Sequence, residues 1–179
     1  LDAADFLPYA DRMVAQRRRA WIGQIERKLE ALRRCLQRLR ERRPTDVAAL
    51  AADADLQDVL VLNLSRAVQL CVDIAAHLLA DSRQPVPRTM GETFAHLAAA
   101  GLVSADLAQR LRRAVGFRNI AVHNYEVIDW AIVHALTGQP LADFDHFAAA
   151  VEAHLLPPAA QPPDLRGAAA GRAFIASQP

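Results

Sequence analysis

The 179-residue chain has few aromatic residues, few glycines and only two cysteines. Aromatic residues make up 6% of it although hydrophobic residues make up 53%, and much of the difference is alanine. Because alanine favours helices whereas aromatic and β-branched residues favour strands, this composition predicts an all-α protein. No alternating apolar pattern of the kind that marks a strand competes with that prediction.

The two cysteines, Cys35 and Cys71, lie inside apolar helical patterns, and their spacing matches no disulfide framework. We therefore expect buried free thiols in a reducing compartment and, since no signal peptide is recognisable, a cytoplasmic protein. The longest apolar run, residues 67–80, contains Asp73 and His77 and is too short to cross a bilayer. The sequence thus predicts a soluble protein without a membrane partner.

The net charge of +1 is uninformative, but the distribution of charge is uneven. Residues 12–43 hold twelve of the 21 basic residues and only three acids, Glu26, Glu30 and Glu41. Such a stretch could follow the phosphates of RNA, or it could be a solvated helix face with occasional pairs such as Glu30 with Arg34. Both interpretations remain open at the level of sequence.

Helical periodicity predicts an antiparallel bundle of about five helices. The first has an apolar seam with steps of three and four residues and ends before Pro44, because the residue before a proline avoids the helical region. That seam consists of Ile22, Ile25, Leu29, Leu32, Leu36 and Leu39. The others are predicted over residues 46–81, over 89–101, from Ser104 towards residue 118, and from Asp129 to residue 155. Pro140 should kink or break the last one.

The same pattern predicts three regions along the chain. Residues 1–18 show no clear periodicity and are interpreted as an N-terminal extension. Residues 19–156 form the helical domain. Residues 157–179 are rich in proline, alanine and glycine without periodicity, which predicts a disordered tail.

The greatest concentration of reactive side chains is in residues 118–125, Arg-Asn-Ile-Ala-Val-His-Asn-Tyr. On one regular helix Asn119 and His123 would be about 40° apart, but Arg118 and His123 would be about 140° apart. One helix therefore does not point both groups at one small target. Either the backbone deforms near Asn124, or two copies of the segment meet across a dimer interface near a two-fold axis.

These side chains suit the cleavage of RNA, which carries its own nucleophile in the 2′-hydroxyl group. A histidine titrates near neutral pH, so His123 can take or return a proton. Arg118 can bind a phosphate through two donors and stabilise its developing charge. Asn119 can orient the imidazole or donate to a phosphate oxygen, and Tyr125 can donate a hydrogen bond or present a hydroxyl group for modification.

The order of Arg118, four residues, His123, one residue and Tyr125 resembles the signature of HepT-like toxins in the HEPN ribonuclease superfamily. Residues 64–77, 89–101 and 107–125, together with Asp129 and Trp130, are also similar, and the resemblance extends over residues 21–155. Gly138 and Pro140 in the last helix, the N-terminal extension and the tail depart from the family pattern.

This resemblance implies an HEPN-like helical bundle that forms a homodimer. It further implies a metal-independent endoribonuclease toxin without cofactors, in which Arg118, Asn119 and His123 are catalytic and RNA is the substrate. The partner would be a cognate minimal nucleotidyltransferase antitoxin that neutralises the toxin by adding AMP to Tyr125.

The alternative is a non-catalytic helical binding module that partners a nucleotidyltransferase. The presence of Arg118, His123 and Tyr125 together favours the enzyme, because a binding module would not need all three. The other five histidines lie at no metal-ligand spacing, so no metal site is predicted. Asp73 and His77, one turn apart, are either a polar pair facing the motif or a plain surface pair.

Overall fold

A computed structural model of the chain describes residues 3–80, 82, 85–123 and 128–156, with side chains from Arg12 onward. All regular secondary structure in these residues is helical, which confirms the all-α prediction. The helices are α1 (Ala3–Glu41), α2 (Val47–Ala51), α3 (Ala54–Leu79), α4 (Met90–Ala99), α5 (Ala105–His123), α6 (Trp130–Leu136) and α7 (Leu141–Leu155).

The described residues form seven helices rather than about five, because two predicted helices are divided. The prediction of one helix over residues 46–81 is wrong, since the chain leaves the helix between α2 and α3. The carboxylate of Asp53 caps α3 by accepting a hydrogen bond of 2.9 Å from the Leu56 N–H. The break predicted at Pro140 is observed, and it separates α6 from α7.

The first helix is longer than its apolar seam. It begins at Ala3 and continues without interruption through residue 18, where the sequence predicted the end of an extension. Whether residues 1–18 are a separate functional region stays a prediction. The predicted tail, residues 157–179, lies outside the described residues.

Helices α3 and α7 both run antiparallel to α1. Towards the amino terminus of α1, the Asp73 carboxylate accepts from the Lys28 ammonium at 3.2 Å, and Gln24 contacts His77 at 2.6 Å. The residue numbers on α3 rise from Asp73 to His77 while those of their partners on α1 fall from Lys28 to Gln24, so the two helices are antiparallel.

Helix α7 is also antiparallel to α1, because Arg33 pairs with Glu152 and Arg40 pairs with Asp145. Helix α5 is tied to α7 near its start and to α3 near its end, by Arg110 with Asp143 at 2.8 Å and by Arg118 with Gln69 at 3.2 Å. The carboxyl ends of α3, α5 and α7 consequently lie at one end of the bundle.

The core lies between these helices and contains five of the six residues of the seam predicted for α1, whereas Ile22 is only partly buried. Ile25, Leu29, Leu32, Leu36 and Leu39 are at most 1% exposed, and burial of each such side chain contributes about 1.5–3 kcal/mol. A second centre of the core is the edge-to-face contact of Phe94 with Phe147, whose ring centroids are 6.2 Å apart.

The cysteines are buried and free, as predicted. Burial raises the pKa of the Cys71 thiol well above its usual range, and the nearby Cys35 raises it further. Burial also raises the pKa of Cys35, although Arg66, Arg34 and Arg38 partly oppose that effect. Both groups are therefore protonated, apolar members of the core at neutral pH.

Within the described residues, one helix, α3, is long and apolar enough to cross a membrane by length and composition. Over its most apolar window, 56% of the residues are buried inside the protein. Helix α3 packs against α1, α4, α5 and α7, so these residues form the centre of the bundle. The core helix of a bundle is expected to have such a composition.

Candidate active site

Helix α5 carries the residues that the sequence singled out. It begins where the Ser104 hydroxyl oxygen accepts a hydrogen bond of 3.2 Å from the Leu107 N–H, and it stays helical through His123. Because the helix is uninterrupted, Arg118 and His123 are about 140° apart around its axis, as expected for a regular helix. Asn124 and Tyr125 lie outside the described residues.

Arg118 is half-buried in the seam between α5 and α3. Its Nη2 atom donates a hydrogen bond of 3.2 Å to Oε1 of Gln69. The side-chain amide of Gln69 in turn donates to Oδ1 of Asp73 at 2.8 Å. On its other oxygen, Asp73 accepts from the Lys28 ammonium at 3.2 Å. A continuous chain of polar contacts thus joins α5, α3 and α1.

The chemistry of this network fixes the orientation of Gln69. A carboxylate only accepts hydrogen bonds, so the NH2 group of Gln69 must face Asp73. Its carbonyl oxygen then faces Arg118, which has only donors. The Lys28 ammonium occupies the other oxygen of Asp73 and pairs with its charge. The arginine is held in place by a neutral acceptor, so its own charge is left uncompensated by this contact.

Arg118 has donors beyond this contact. Its Nε is enclosed by protein atoms and has no hydrogen-bond partner among the described residues, and the same is true of the Ser65 hydroxyl. Ser65 lies one turn before Gln69 on α3. A guanidinium has five N–H donors arranged to match an oxyanion, and only one of them is engaged with Gln69. The side chain can therefore still bind a phosphate.

Asn119 and His123 lie on the solvent side of α5, and both are exposed. They are accompanied by two apolar side chains, Ile120 and Val122, which are 48% and 51% exposed. The structure therefore brings Arg118, Asn119 and His123 to one helix end, but it does not bring the guanidinium and the imidazole into contact within one chain.

The sequence hypothesis of a polar pair between Asp73 and His77 is wrong. Asp73 contacts Lys28 and Gln69, whereas Nε2 of His77 contacts Oε1 of Gln24. One turn of helix separates the two side chains, and each meets a different turn of α1. Asp73 nevertheless faces the motif, because Gln69 connects it to Arg118.

Sequence reasoning missed Gln69 and Lys28 as partners of the motif. The available signal was a polar stripe, Ser65, Gln69 and Asp73, at steps of four on a mainly apolar helix. Polar groups in a core helix are costly unless they are paired, so such a stripe indicates a partner on a neighbouring helix. The identity of that partner depended on how α3 packs against α5.

A cavity of about 450 Å³ lies beside the motif between α3, α5, α6 and α7. It is lined mainly by apolar side chains, including Phe117, Ile120, Ile128, Ile132 and Phe144. The ion pair of Arg110 with Asp143 also borders it. An apolar cavity that lies beside exposed residues of α5 is typical of a surface that contacts another protein.

In the part of the chain that the structure describes, no three His, Cys, Asp or Glu side chains are grouped so that they could hold a metal ion. That the chemistry needs no metal remains a prediction. A model of the ribonuclease HepT-like family matches residues 28–151, which include α5 and the whole network from Lys28 to Arg118.

Individual relatives agree with this match. The mRNA nuclease HepT of Shewanella oneidensis is 33% identical over 129 residues, which are 72% of this chain and 96% of that protein. A toxin–antitoxin complex with AMP-PNP contains a chain with a TM-score of 0.68 and 32% identity, covering 72% of this chain and 97% of that one.

A third relative is the tri-AMPylated HEPN toxin of Shewanella oneidensis in complex with its MNT antitoxin. It has a TM-score of 0.67 and 32% identity, and it covers 72% of this chain and 96% of that one. The family match and the identity over most of each relative agree with the helical bundle. The chain belongs to the ribonuclease HepT-like family.

Proposed function

We propose that this protein is a metal-independent endoribonuclease toxin that is neutralised by a nucleotidyltransferase antitoxin. The observation that carries the proposal is the presence of Arg118, Asn119 and His123 on α5. One donor of Arg118 is held by Gln69, and its Nε has no partner among the described residues. Membership of a ribonuclease family and the names of the relatives support it.

In the proposed reaction one His123 removes the proton from a ribose 2′-hydroxyl group, and the resulting oxygen attacks the adjacent phosphorus. The P–O5′ bond breaks, and the departing 5′-oxygen takes a proton from a protonated histidine. The products are a 2′,3′-cyclic phosphate and a 5′-hydroxyl group. Arg118 stabilises the charge that develops on the non-bridging phosphate oxygens. Asn119 donates to the same phosphate or orients the imidazole.

A homodimer would satisfy the geometry of this reaction. A single histidine cannot be base and acid at the same moment, and Arg118 and His123 of one chain point about 140° apart. Two motif helices across a two-fold axis would supply two imidazoles and two guanidinium groups to one cleft. The exposed Ile120 and Val122 beside His123 support such an interface, because homodimer interfaces are more apolar than the rest of a protein surface.

Neutralisation is proposed to occur through Tyr125, two residues after His123. AMP added to its hydroxyl group would place a bulky anion where an RNA phosphate should bind, and would block by size and by charge repulsion. The AMP-modified state of the Shewanella toxin supports this proposal. Intact mass after co-expression with the nucleotidyltransferase should show additions of AMP that are absent from Tyr125→Phe. An unmodified but fully neutralised toxin would contradict it.

The central test is RNA cleavage by the purified protein in excess EDTA. We expect cleavage by the wild type and loss of at least about 100-fold in rate for His123→Ala, the scale of a lost general acid or base. His146→Ala is the matched control, since His146 is an exposed histidine on α7. Cleavage that stops in EDTA, or that survives in His123→Ala, would refute the mechanism. Binding of the nucleotidyltransferase without any cleavage would favour the non-catalytic module.

A further inference from the structure

The amino-terminal part of α1 extends beyond the bundle. Residues 12–20 are all exposed, and α3 ends at Leu79, shortly after the contact of His77 with Gln24. The segment from Ala3 to residue 20 would be about 27 Å long at 1.5 Å per residue. We call residues 12–20 the arm. It is a helical segment whose side chains are exposed.

The arm leaves the bundle at the end where His123 lies. Helices α3, α5 and α7 all run antiparallel to α1, so their carboxyl ends meet the beginning of its packed part. His123 is the last residue of α5, and His154 is in the last turn of α7. A polymer bound at His123 could therefore continue onto the arm.

The arm carries a run of positive charge. Arg17, Arg18 and Arg19 are consecutive, and residues 12–22 contain no acid. Consecutive residues are 100° apart on a helix, so the three guanidinium groups surround more than half of the arm. None of the three forms an ion pair with a described residue.

Three arginines farther along α1 differ in this respect. Arg33 and Arg34 pair with Glu30, Arg33 also pairs with Glu152, and Arg40 pairs with Asp145. These arginines serve the packing of α7 on α1 and the solvation of α1. Arg17, Arg18 and Arg19 form no such pair with a described residue, which leaves them available for an anionic ligand.

A cavity of about 510 Å³ lies where the arm joins the bundle. It is lined by Arg17, Arg18, Trp21 and Ile22 of α1 and by His154 and Leu155 of α7. All six residues fall outside residues 28–151, the part that matches the family model. An aromatic ring beside guanidinium groups is the combination with which proteins hold single-stranded nucleic acid, by stacking of bases and pairing with phosphates.

We infer that the arm and this cavity form an RNA-binding subsite of this chain, in which a base lies against Trp21 and the flanking phosphates contact Arg17, Arg18 and Arg19. The inference rests on the proposed function, because it extends the path of the same RNA away from His123. The subsite increases affinity for single-stranded substrates long enough to reach it, and it leaves the chemical step unchanged.

Binding is tested first, in full-length protein carrying His123→Ala so that the RNA stays intact. The probe is a fluorescein-labelled 20-nucleotide single-stranded RNA, titrated at several salt concentrations. Replacing Arg17, Arg18 and Arg19 by Gln should weaken binding at least about ten-fold and reduce the slope of log K against log salt by about 2, since each phosphate contact on a single strand contributes about 0.7. The matched control replaces Arg33, Arg34 and Arg38 by Gln, which removes the same charge from the packed part of α1.

Contact with Trp21 has its own readout. In a Trp130→Phe background Trp21 is the only tryptophan. A stacked base should quench its emission, and the triple Arg→Gln variant should need more RNA to reach the same quenching. Unchanged emission at saturating RNA would refute the part of the inference that concerns Trp21.

Cleavage separates this inference from the proposed function. With His123 intact, the triple arm variant should raise KM for the 20-nucleotide RNA about ten-fold and leave kcat unchanged, and it should cleave a dinucleotide as the wild type does. No cleavage by the wild type would refute the proposed function, whereas equal RNA affinity of the arm and control variants would refute the subsite alone. Loss of antitoxin binding with RNA affinity intact would identify the arm as a protein-binding surface and overturn the inference.

Discussion

The contact of Gln69 with Arg118 makes a quantitative prediction about catalysis. Gln69→Leu removes the acceptor of the 3.2 Å hydrogen bond from Arg118 and the donor to Asp73, while the 3.2 Å pair of Asp73 with Lys28 remains. A hydrogen bond to a charged group contributes about 1.5–3 kcal/mol. Because the site is half-buried, we expect about 1.5 kcal/mol, which corresponds to a loss of about ten-fold in kcat.

A charge exchange tests the same network without removing it. Gln69→Glu keeps an acceptor for Arg118 but places two carboxylates at the 2.8 Å contact with Asp73, so it should lower the free energy of unfolding and the activity. Adding Asp73→Asn exchanges the acid and the amide, so that the amide of residue 73 can donate to the new carboxylate. The double variant should therefore recover most of both losses.

The assay is single-turnover RNA cleavage together with urea unfolding of each variant. Gln109→Leu, at an exposed position of α5, is the matched control and should change neither quantity. Wild-type kcat in Gln69→Leu would show that the network does not position Arg118. A stability loss with unchanged kcat, or a double variant no better than Gln69→Glu, would show that the contact is only structural.

Four further predictions concern the thiols, the helix cap and the interface. Burial raises the pKa of Cys71 and of Cys35, so both should resist iodoacetamide at pH 8 until urea unfolds the chain. Because the pKa values of the folded thiols are raised, their contribution to the free energy of unfolding is fully present below the unfolded thiol pKa of about 8.5 and decreases at higher pH. The urea midpoint should therefore be lower at pH 10 than at pH 8, and equal midpoints would contradict this prediction. Asp53→Ala should lower the free energy of unfolding by about 1 kcal/mol through loss of the cap on Leu56, and no loss would show that α3 does not need it. Ile120→Glu should convert a dimer into a monomer in light scattering and reduce cleavage, and a fully active monomer would refute the composite cleft.

The fold was largely predictable because its helices are local and amphipathic. The seam from Ile25 to Leu39 predicts which face of α1 is buried, and Pro140 predicts the break before α7. The division between α2 and α3 was missed because the apolar repeat behind that prediction starts at Leu56, inside α3, and does not indicate where α3 begins. The carboxylate of Asp53 caps the first turn of α3 with one side-chain hydrogen bond. The sequence prediction relied on the apolar repeat and did not use this capping residue, so it joined α2 and α3 into one helix.

The site was only partly predictable, for a related reason. Arg118, Asn119 and His123 are neighbours in sequence, so their placement at one end of α5 follows from local helix formation. Gln69 lies 49 residues from Arg118, and their contact exists only because α3 and α5 pack side by side. Local patterns carry no information about that register. Tyr125 is in the same motif, but its contacts lie outside the described residues.

The polar network also has a consequence for the order of events during synthesis. One of its long-range contacts joins two residues that are 45 positions apart in the sequence, and another joins two that are 49 positions apart. Together these contacts connect α1, α3 and α5. A nascent chain that has emerged only as far as α3 has Lys28, Gln69 and Asp73 in place but no arginine to hold. Even after Arg118 emerges, it gains its acceptor only when α5 docks against α3. The ability to cut RNA would therefore appear late, when most of the domain has folded, so the messenger being translated is exposed to little activity from its own unfinished product.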